Sequence, residues 1–230
     1  MIGFLNINKP PDCTSHDVVA ILRKSLGIKK VGHCGTLDPF ATGVLIIAIN
    51  DATRLIEYLP SDKTYLAKIK FGIETDTDDI TGKITLQTNK IPIFSEITEE
   101  LKLFSGKIKQ KPPIFSAIKL NGKRAYKLAR EHAISLDDMR ERIVEIYSII
   151  PIAYSEGILE LKIHSSRGTY IRSIARDLGK TLNTSATLLE LRRIKVGDNF
   201  KIEESINPEL INKQTLSKYL ISPLDVLNLP

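Results

Sequence analysis

An unbroken apolar run, Val44–Ile49, sets strong limits on the fold of this chain. Its six consecutive apolar residues fall far short of the ~20 needed to cross a bilayer. Such a run is typical of a strand that is buried on both faces. The run follows a polar segment, residues 31–43, which contains Gly32, Gly35 and Gly43 and is predicted to be a loop. The sequence therefore predicts a glycine-rich loop supported by a rigid strand.

The remaining pattern favours an α+β fold over a regular βαβ repeat. Helical spacing of apolar residues after Thr14-Ser15, an N-cap signal, predicts a helix that ends near Gly27. An amphipathic pattern predicts another helix over Thr169–Leu182. Two predicted strands, Arg142–Ala153 and Leu159–Ser165, are separated only by a short turn. Strands in neighbouring pairs, with helices inserted at intervals, indicate the α+β class.

Positive charge is concentrated in one segment, residues 107–130. The whole chain has 33 basic and 27 acidic residues, a formal net charge of +6. The segment has no acidic residue and eight basic ones: Lys107, Lys109, Lys111, Lys119, Lys123, Arg124, Lys127 and Arg130. Binding to a phosphate backbone requires such a cluster, although a solvated lysine-rich face has the same pattern. Within the segment, Asn121-Gly122 predicts a tight hairpin turn.

The side chains argue against a metal, a cofactor and an export signal. Cys13 and Cys34 are the only cysteines, which argues against a disulfide framework and fits a reducing cytosol. His16 and His33 add ligand-type side chains, but adjacent His33 and Cys34 are poor partners on one ion. No phosphate-binding or dinucleotide-binding glycine motif occurs, and the N-terminus lacks the regions of a secretory signal. We therefore expect a cytoplasmic protein with no metal and no cofactor.

Asp38 is the candidate catalytic residue of the glycine-rich loop. Pro39 disfavours the helical region for the residue before it, so the Asp38 carboxylate is expected on an extended backbone. A position shortly before a buried strand suits a side chain that must be held rigidly. An Asp-Pro pair is also common turn chemistry, in which the carboxylate bonds its own backbone. From the residues alone, both interpretations stay open.

The loop sequence resembles the signature of a known enzyme family. Gly35-Thr36-Leu37-Asp38-Pro39, followed by Ala41-Thr42-Gly43-Val44-Leu45, is similar to the signature loop of TruB-type tRNA pseudouridine synthases. Other motifs of that family occur in its order along nearly the whole chain: Asn8-Lys9-Pro10, Thr14-Ser15-His16-Asp17, Lys63-Thr64-Tyr65, Thr75-Asp76-Thr77-Asp78-Asp79, Lys111-Pro112-Pro113, Ser166-Arg167-Gly168-Thr169-Tyr170-Ile171-Arg172 and Leu191-Arg192-Arg193. Because several motifs agree in order, the resemblance is specific.

The resemblance implies the pseudouridine synthase α+β fold, a mixed and mostly antiparallel central sheet with flanking helices and a central catalytic cleft. It implies that the chain isomerises a uridine in the TΨC loop of tRNA, position 55, to pseudouridine. Asp38 would be the catalytic carboxylate, ionised at neutral pH because its reference pKa is about 3.9. It would attack either the ribose C1′ or the base, so that the N1–C1′ bond breaks and the base rejoins through C5.

The resemblance also assigns residues that bind the substrate. These are His33, Tyr65, Asp79, Tyr170, Arg172 and Leu191. Arg172 would pair with Asp38, and Tyr65 would stack on the extruded base. The structural alternatives are a surface charge for Arg172, a turn-shaping acid for Asp79 and core packing for the aromatic and apolar residues. The residues expected to bind the RNA backbone are Lys9, Lys119, Lys123, Arg124 and Lys127.

We expect residues 1–196 to form the catalytic domain and residues 197–230 a C-terminal extension. Many family members continue into a small PUA domain, and this sequence stops about where that domain would begin. Ser185-Ala186-Thr187 also differs from the Gly-Ala-His often found before Leu191. The expected partner is the TΨC stem-loop of tRNA, without a membrane, an obligate protein partner or a guide RNA, and the expected state is a monomer. Two rivals stay open: a catalytically idle tRNA-binding module, and a catalytic subunit of a guide-RNA particle.

Overall fold

The strands and helices follow the predicted α+β pattern in a computed structural model that describes residues 1–120 and 122–227. The strands are β1 (Gly3–Lys9), β2 (Val31–Cys34), β3 (Thr42–Ile49), β4 (Lys63–Phe71), β5 (Ile73–Thr75), β6 (Ile84–Gln87), β7 (Gly106–Gln110), β8 (Lys119–Leu120), β9 (Lys123–Arg124), β10 (Arg142–Ser155), β11 (Ile158–Ser165), β12 (Ala186–Val196) and β13 (Phe200–Lys201). The α-helices are α1 (Ser15–Leu26), α2 (Phe94–Leu101), α3 (Ala125–Arg130), α4 (Ile171–Thr181), α5 (Leu216–Tyr219) and α6 (Pro223–Val226). Short 3-10 helices cover Asn50–Arg54, Ile56–Tyr58, Lys102–Phe104, Leu136–Asp138, Ile202–Glu204 and Pro208–Leu210.

The chain divides into two units. The first contains Met1–Tyr65 and Leu191–Pro230, and the second contains Leu66–Glu190. Within the described residues, no helix combines the length and the apolar character needed to span a membrane.

β3 is the centre of the sheet in the first unit. β1 pairs antiparallel with β3 along its whole length, down to Lys9 opposite Gly43. β2 pairs antiparallel with the end of β3, Val31 opposite Ile49, and β12 pairs parallel with its start, Arg193 opposite Gly43. All residues of β3 except the first are buried. The prediction that Val44–Ile49 is a strand buried on both faces is confirmed.

Two apolar layers cover this sheet. On one face, α1 packs its buried side chains against β1 and β3 in a cluster of Val18, Val19, Leu22, Leu26, Leu5, Ile7, Leu45, Ile47 and Ile49. The predicted caps of α1 are confirmed, because the Thr14 side chain accepts from the backbone of Asp17 and Gly27 adopts the left-handed conformation at φ 67°. The other face carries the cluster Phe4, Val44, Ile46, Ala48, Val196, Phe200 and Val226. Residues from the predicted C-terminal extension therefore contribute to the core of this unit.

The second unit is built around the predicted strand pair. β10 and β11 form an antiparallel hairpin, and β7 pairs antiparallel with the opposite edge of β10. Glu156 and Gly157 form the turn, both with positive φ. The predicted late helix begins at Ile171 and buries Ile174, Ala175 and Leu178. Most pairings in the structure are antiparallel, and the pairing of β12 with β3 is parallel.

Two local predictions have different outcomes. The loop predicted over residues 31–43 is wrong at its start, because Val31–Cys34 forms β2. This polar, glycine-containing strand is stabilised by pairing with the apolar β3, which the local pattern does not reveal. The predicted basic hairpin is confirmed by the pairing of Lys119 with Arg124 across β8 and β9. Asn121 of its turn lies outside the described residues.

Candidate active site

Asp38 lies in the loop between β2 and β3, residues 35–41, which we call the signature loop. The residue is half-buried. Its backbone carbonyl accepts a hydrogen bond from the Ala41 amide at 3.1 Å, so the chain turns directly after it. The backbone on both sides of Asp38 is then held by side chains from three other elements of the first unit.

Ser15 holds the residue immediately before Asp38. The Ser15 hydroxyl accepts from the Leu37 amide at 2.9 Å and donates to the Leu37 carbonyl at 3.2 Å. Ser15 is the first residue of α1, and the capping box of Thr14 and Asp17 orders that helix end. The buried Leu37 side chain adds an apolar anchor.

Lys9 holds the residue immediately after Asp38. Its side chain is 0% exposed, and its ammonium donates to the carbonyls of Pro10, Cys13 and Pro39 at 2.8, 2.7 and 3.0 Å. Three carbonyls use all three N–H groups of an ammonium. Burial lowers the pKa of Lys9, and the nearby charges of Cys13 and Asp38 oppose this. The prediction that Lys9 binds the RNA backbone is wrong, because its ammonium is enclosed by protein.

Arg193 connects the start of the signature loop to β3, the strand that follows the loop. Its guanidinium donates to the Gly35 and Thr36 carbonyls at 3.0 and 3.5 Å, before Asp38, and to the Val44 carbonyl at 2.7 Å, after the loop. Arg193 is 1% exposed. Its backbone also lies against Gly43, where an added Cβ would stand 2.2 Å from the Arg193 carbonyl oxygen. Only glycine fits this close approach at a φ of 103°.

Tyr65 is in electrostatic contact with the same group of residues. Burial raises the pKa of its phenol, the nearby charge of Arg193 opposes this rise, and Asp38 adds to it. The phenol is therefore neutral at physiological pH. The structure thus brings Asp38, Tyr65, Lys9 and Arg193 together within the first unit.

His33 and Leu191 belong to the same unit. His33 is half-buried on β2, and its Nδ1 has no hydrogen-bond partner among the described residues. Burial lowers the pKa of His33, with smaller effects from His16 and Arg193 in the same direction. A neutral imidazole agrees with the predicted packing role. Leu191 is buried, as a pocket wall or a core residue would be.

Arg172 and Asp79 meet within the second unit. Arg172 is buried, and it donates to the Thr77 and Phe115 carbonyls at 2.9 and 3.1 Å. The guanidinium also lies 3.5 Å from the Asp79 carboxylate. The alternative interpretation of Arg172 as a surface charge is therefore wrong. Its pairing with Asp38 stays a prediction. Asp79 accepts from the backbone and hydroxyl of Thr81 and from the Thr77 hydroxyl, so it shapes the turn of the acidic loop, residues 76–83, between β5 and β6.

A second arginine of α4 supports this acidic loop. Arg176, four residues after Arg172, contacts the Asp78 carboxylate at 2.8 Å and donates to the Lys111 carbonyl at 2.8 Å. Burial raises the pKa of Asp78 to about 6, against the opposing effect of both arginines. Tyr170, at the start of α4, is held through its backbone by the Gln110 side chain at 2.8 and 3.1 Å.

The basic hairpin, residues 119–130, presents its charges to solvent. The predicted RNA-binding residues Lys119, Lys123, Arg124 and Lys127 are all exposed. α3 buries Ala125 and Ala129, which directs Lys127 outward. Arg130 stacks over the Tyr126 ring at 5.7 Å. These charges are accessible to a phosphate backbone.

Sequence reasoning missed the roles of Ser15, Arg193 and Arg176. Ser15 and Arg193 lie in motifs of the family, but no role was assigned to them. A residue string does not show which arginine is buried. One signal was available, because Arg193 follows Leu191 by two positions, and residues so spaced on a strand share a face. If Leu191 lines the pocket, Arg193 is therefore predicted to lie on the same, buried face of the strand. Arg176 follows Arg172 by four positions, and residues so spaced on a helix share a face, so a functional Arg172 predicts that Arg176 lies beside it.

Comparison with known proteins gives the relatives of this chain. A family model described as "TruB family pseudouridylate synthase (N terminal domain)" matches residues 23–171. A tRNA pseudouridine synthase B from Microcystis aeruginosa is 50% identical over 228 residues, which cover 97% of this chain and 76% of that protein. Its counterpart from Thermosipho melanesiensis is 45% identical and covers 100% of this chain and 75% of that protein. A chain in the crystal structure of a Cbf5-Nop10-Gar1 complex is also similar, with a TM-score of 0.72 and 31% identity; the match covers 94% of this chain and 55% of that one.

Proposed function

Because this chain belongs to the TruB family of pseudouridylate synthases, we propose that it isomerises uridine to pseudouridine in the TΨC loop of tRNA, at position 55. One observation carries the proposal: the family's catalytic motif is present, and its Asp38 stands on a backbone held on both sides by Ser15, Lys9 and Arg193. A carboxylate that must attack a fixed atom needs such rigid support.

The reaction needs only groups that the chain and the uridine supply. Asp38 attacks the ribose C1′ or the base, and the N1–C1′ bond breaks. The freed uracil turns and C5 bonds to C1′, while the bond to Asp38 breaks and returns the free carboxylate. The proton leaves C5 and N1 gains a proton, so atoms and electrons balance. Flipping the uridine costs a few kcal/mol, and stacking on Tyr65 offsets part of that cost.

Further residues are assigned to the substrate by the family motifs. Arg172 is proposed to pair with the Asp38 carboxylate, because it stands in the arginine motif of the family. His33, Tyr170 and Leu191 are proposed to line the pocket of the flipped base. Asp79 is proposed to act through Arg172, from which its carboxylate lies 3.5 Å.

The basic hairpin is proposed to bind the tRNA backbone. Its cations are exposed, and RNA phosphates attract such a cluster in any sequence context. We further propose that the chain acts as a monomer in the cytoplasm, without a guide RNA or a protein partner. The chain is 50% identical to a tRNA pseudouridine synthase B and 31% identical to the Cbf5 complex chain. This difference supports the choice of a stand-alone enzyme over a subunit of a guide-RNA particle.

Incubation of the purified chain with an unmodified tRNA transcript tests the proposal. Pseudouridine is mapped afterwards, in the presence of a chelator that removes free metal ions. We expect modification at position 55 by the wild type and none by Asp38→Asn, which keeps the size of the side chain and should still bind tRNA. Binding without conversion by the wild type would favour the idle module. Conversion only after addition of a guide RNA would favour the particle subunit.

A further inference from the structure

We propose that Arg193 is a positioning residue for this reaction, because its guanidinium ties the start of the signature loop to the strand that follows it and so holds the geometry that Asp38 requires. The inference rests on the proposed function, since it concerns the same carboxylate. Arg193 itself would touch neither the uridine nor the tRNA, because it is 1% exposed. It would act only through the backbone that it binds and through Tyr65.

The hydrogen bonds of Arg193 give it this bridging position. Gly35 and Thr36 lie three and two residues before Asp38, and Val44 follows the loop in β3. One planar guanidinium reaches the carbonyls of all three, at 3.0, 3.5 and 2.7 Å. A guanidinium has five N–H donors in a fixed plane, whereas an ammonium is a point charge on a flexible stem. The contact therefore depends on arginine rather than on positive charge alone.

The charge of Arg193 also reaches the other functional side chains of the unit. It opposes the rise that burial causes in the pKa of the Tyr65 phenol. It adds to the lowering of the pKa of Lys9 and of His33, for which burial is the main cause. One buried cation thus links Tyr65 to the loop that carries Asp38.

A loss of positioning has a different kinetic result from a loss of RNA binding. Displacement of a reacting group by about 1 Å lowers a rate by about 100-fold. The affinity for tRNA stays nearly constant, because a buried side chain makes no bond to a phosphate. Removal of Arg193 should therefore lower the rate of the chemical step and leave the Kd for tRNA almost unchanged.

Single-turnover release of tritium from tRNA that carries [5-³H]uridine measures the chemical step directly. We expect Arg193→Lys to lower this rate by about 10- to 100-fold and Arg193→Gln by more than about 100-fold. The Kd for tRNA should stay within about 3-fold of wild type for both. Arg23→Gln is the matched control, because Arg23 donates to the Val31 carbonyl at 2.8 Å, at the start of β2 and outside the signature loop. Its rate should equal that of wild type.

Each outcome decides the proposal. If Arg193→Gln does not fold, Arg193→Lys decides, since it keeps the buried charge. A Lys variant with the wild-type rate and a lower melting temperature would overturn the proposal and leave Arg193 a purely structural role. A Lys variant that fails to fold, or one that loses only tRNA affinity, would overturn it as well. Absence of turnover in the wild-type protein would instead contradict the proposed function.

Discussion

The signature loop and the basic hairpin both depend on cations, but they use them in opposite ways. Around the signature loop, Lys9 and Arg193 are 0% and 1% exposed and donate to backbone carbonyls. On the hairpin, Lys119, Lys123 and Lys127 are exposed to solvent. The first pair holds the protein backbone in place, and the second set is available to bind phosphates.

This difference shows that burial and partner, rather than charge, decide what a cation does. A buried ammonium or guanidinium is expensive to remove from water, so its donors must be satisfied inside the protein. An exposed lysine keeps its hydration and exchanges it for a phosphate at little cost. The two regions should therefore respond to mutation in different measurements, stability and turnover for one and salt-dependent binding for the other.

The largest effect on stability is expected for Lys9→Met. The variant leaves the Pro10, Cys13 and Pro39 carbonyls without their donor. We expect the free energy of unfolding to fall by about 3 kcal/mol, because each unsatisfied buried acceptor costs about 1–3 kcal/mol and relaxation recovers part of this. Urea denaturation followed by circular dichroism measures the change.

Lys119→Met is the control for that variant. It removes the same charge from the exposed hairpin, where surface substitutions change stability by less than about 0.5 kcal/mol. Equal losses of stability in the two variants would remove the distinction between the two regions.

A smaller effect is expected for Ser15→Ala. The substitution removes both hydrogen bonds to Leu37, next to Asp38, and should lower the free energy of unfolding by about 1–2 kcal/mol. Ser25→Ala is the matched control, because Ser25 lies on the same helix and its side chain donates to the nearby Leu22 carbonyl at 3.3 Å. Ser15→Ala should also slow single turnover while Ser25→Ala does not, which ties the contact to the geometry of Asp38.

Much of the fold followed from local patterns of strong physical meaning. The apolar run of β3 predicted its burial, and the sequence around Thr14 and Gly27 predicted the ends of α1. β2 was missed because Val31–Cys34 has no strand pattern of its own and is stabilised by its partner. Such pairing depends on residues distant in sequence, so local propensity could not reveal it.

The family was predictable from the sequence, but the contacts that support Asp38 were not. The motif around Asp38 led to the family, whereas the role of Lys9 was predicted wrongly. Nothing in the sequence separates the buried Lys9 from the exposed Lys119, since each is one lysine near a turn or strand end. Asp79 illustrates the same point, because its carboxylate is engaged by Thr77 and Thr81 of its own loop.

The smallest expected effect on the fold belongs to the triple variant of Lys119, Lys123 and Lys127 to Gln. Stability should stay constant, and the slope of log K for tRNA against log salt should become shallower by about 2, because each phosphate that a lysine neutralises adds roughly 0.7 to the slope. The control is Lys24, Lys29 and Lys213 to Gln, which removes three exposed charges from the first unit. The same change in slope for both triple variants would contradict a specific role of the hairpin.

The most direct test of separate roles for buried and exposed cations measures the single-turnover rate and the salt slope of tRNA binding on the same two proteins. These are Arg193→Lys and the triple hairpin variant. We expect opposite responses: Arg193→Lys loses rate and keeps the wild-type slope, whereas the triple variant loses slope and keeps the wild-type rate at saturating enzyme. If both variants changed the same quantity, the division of labour between the signature loop and the basic hairpin would be contradicted.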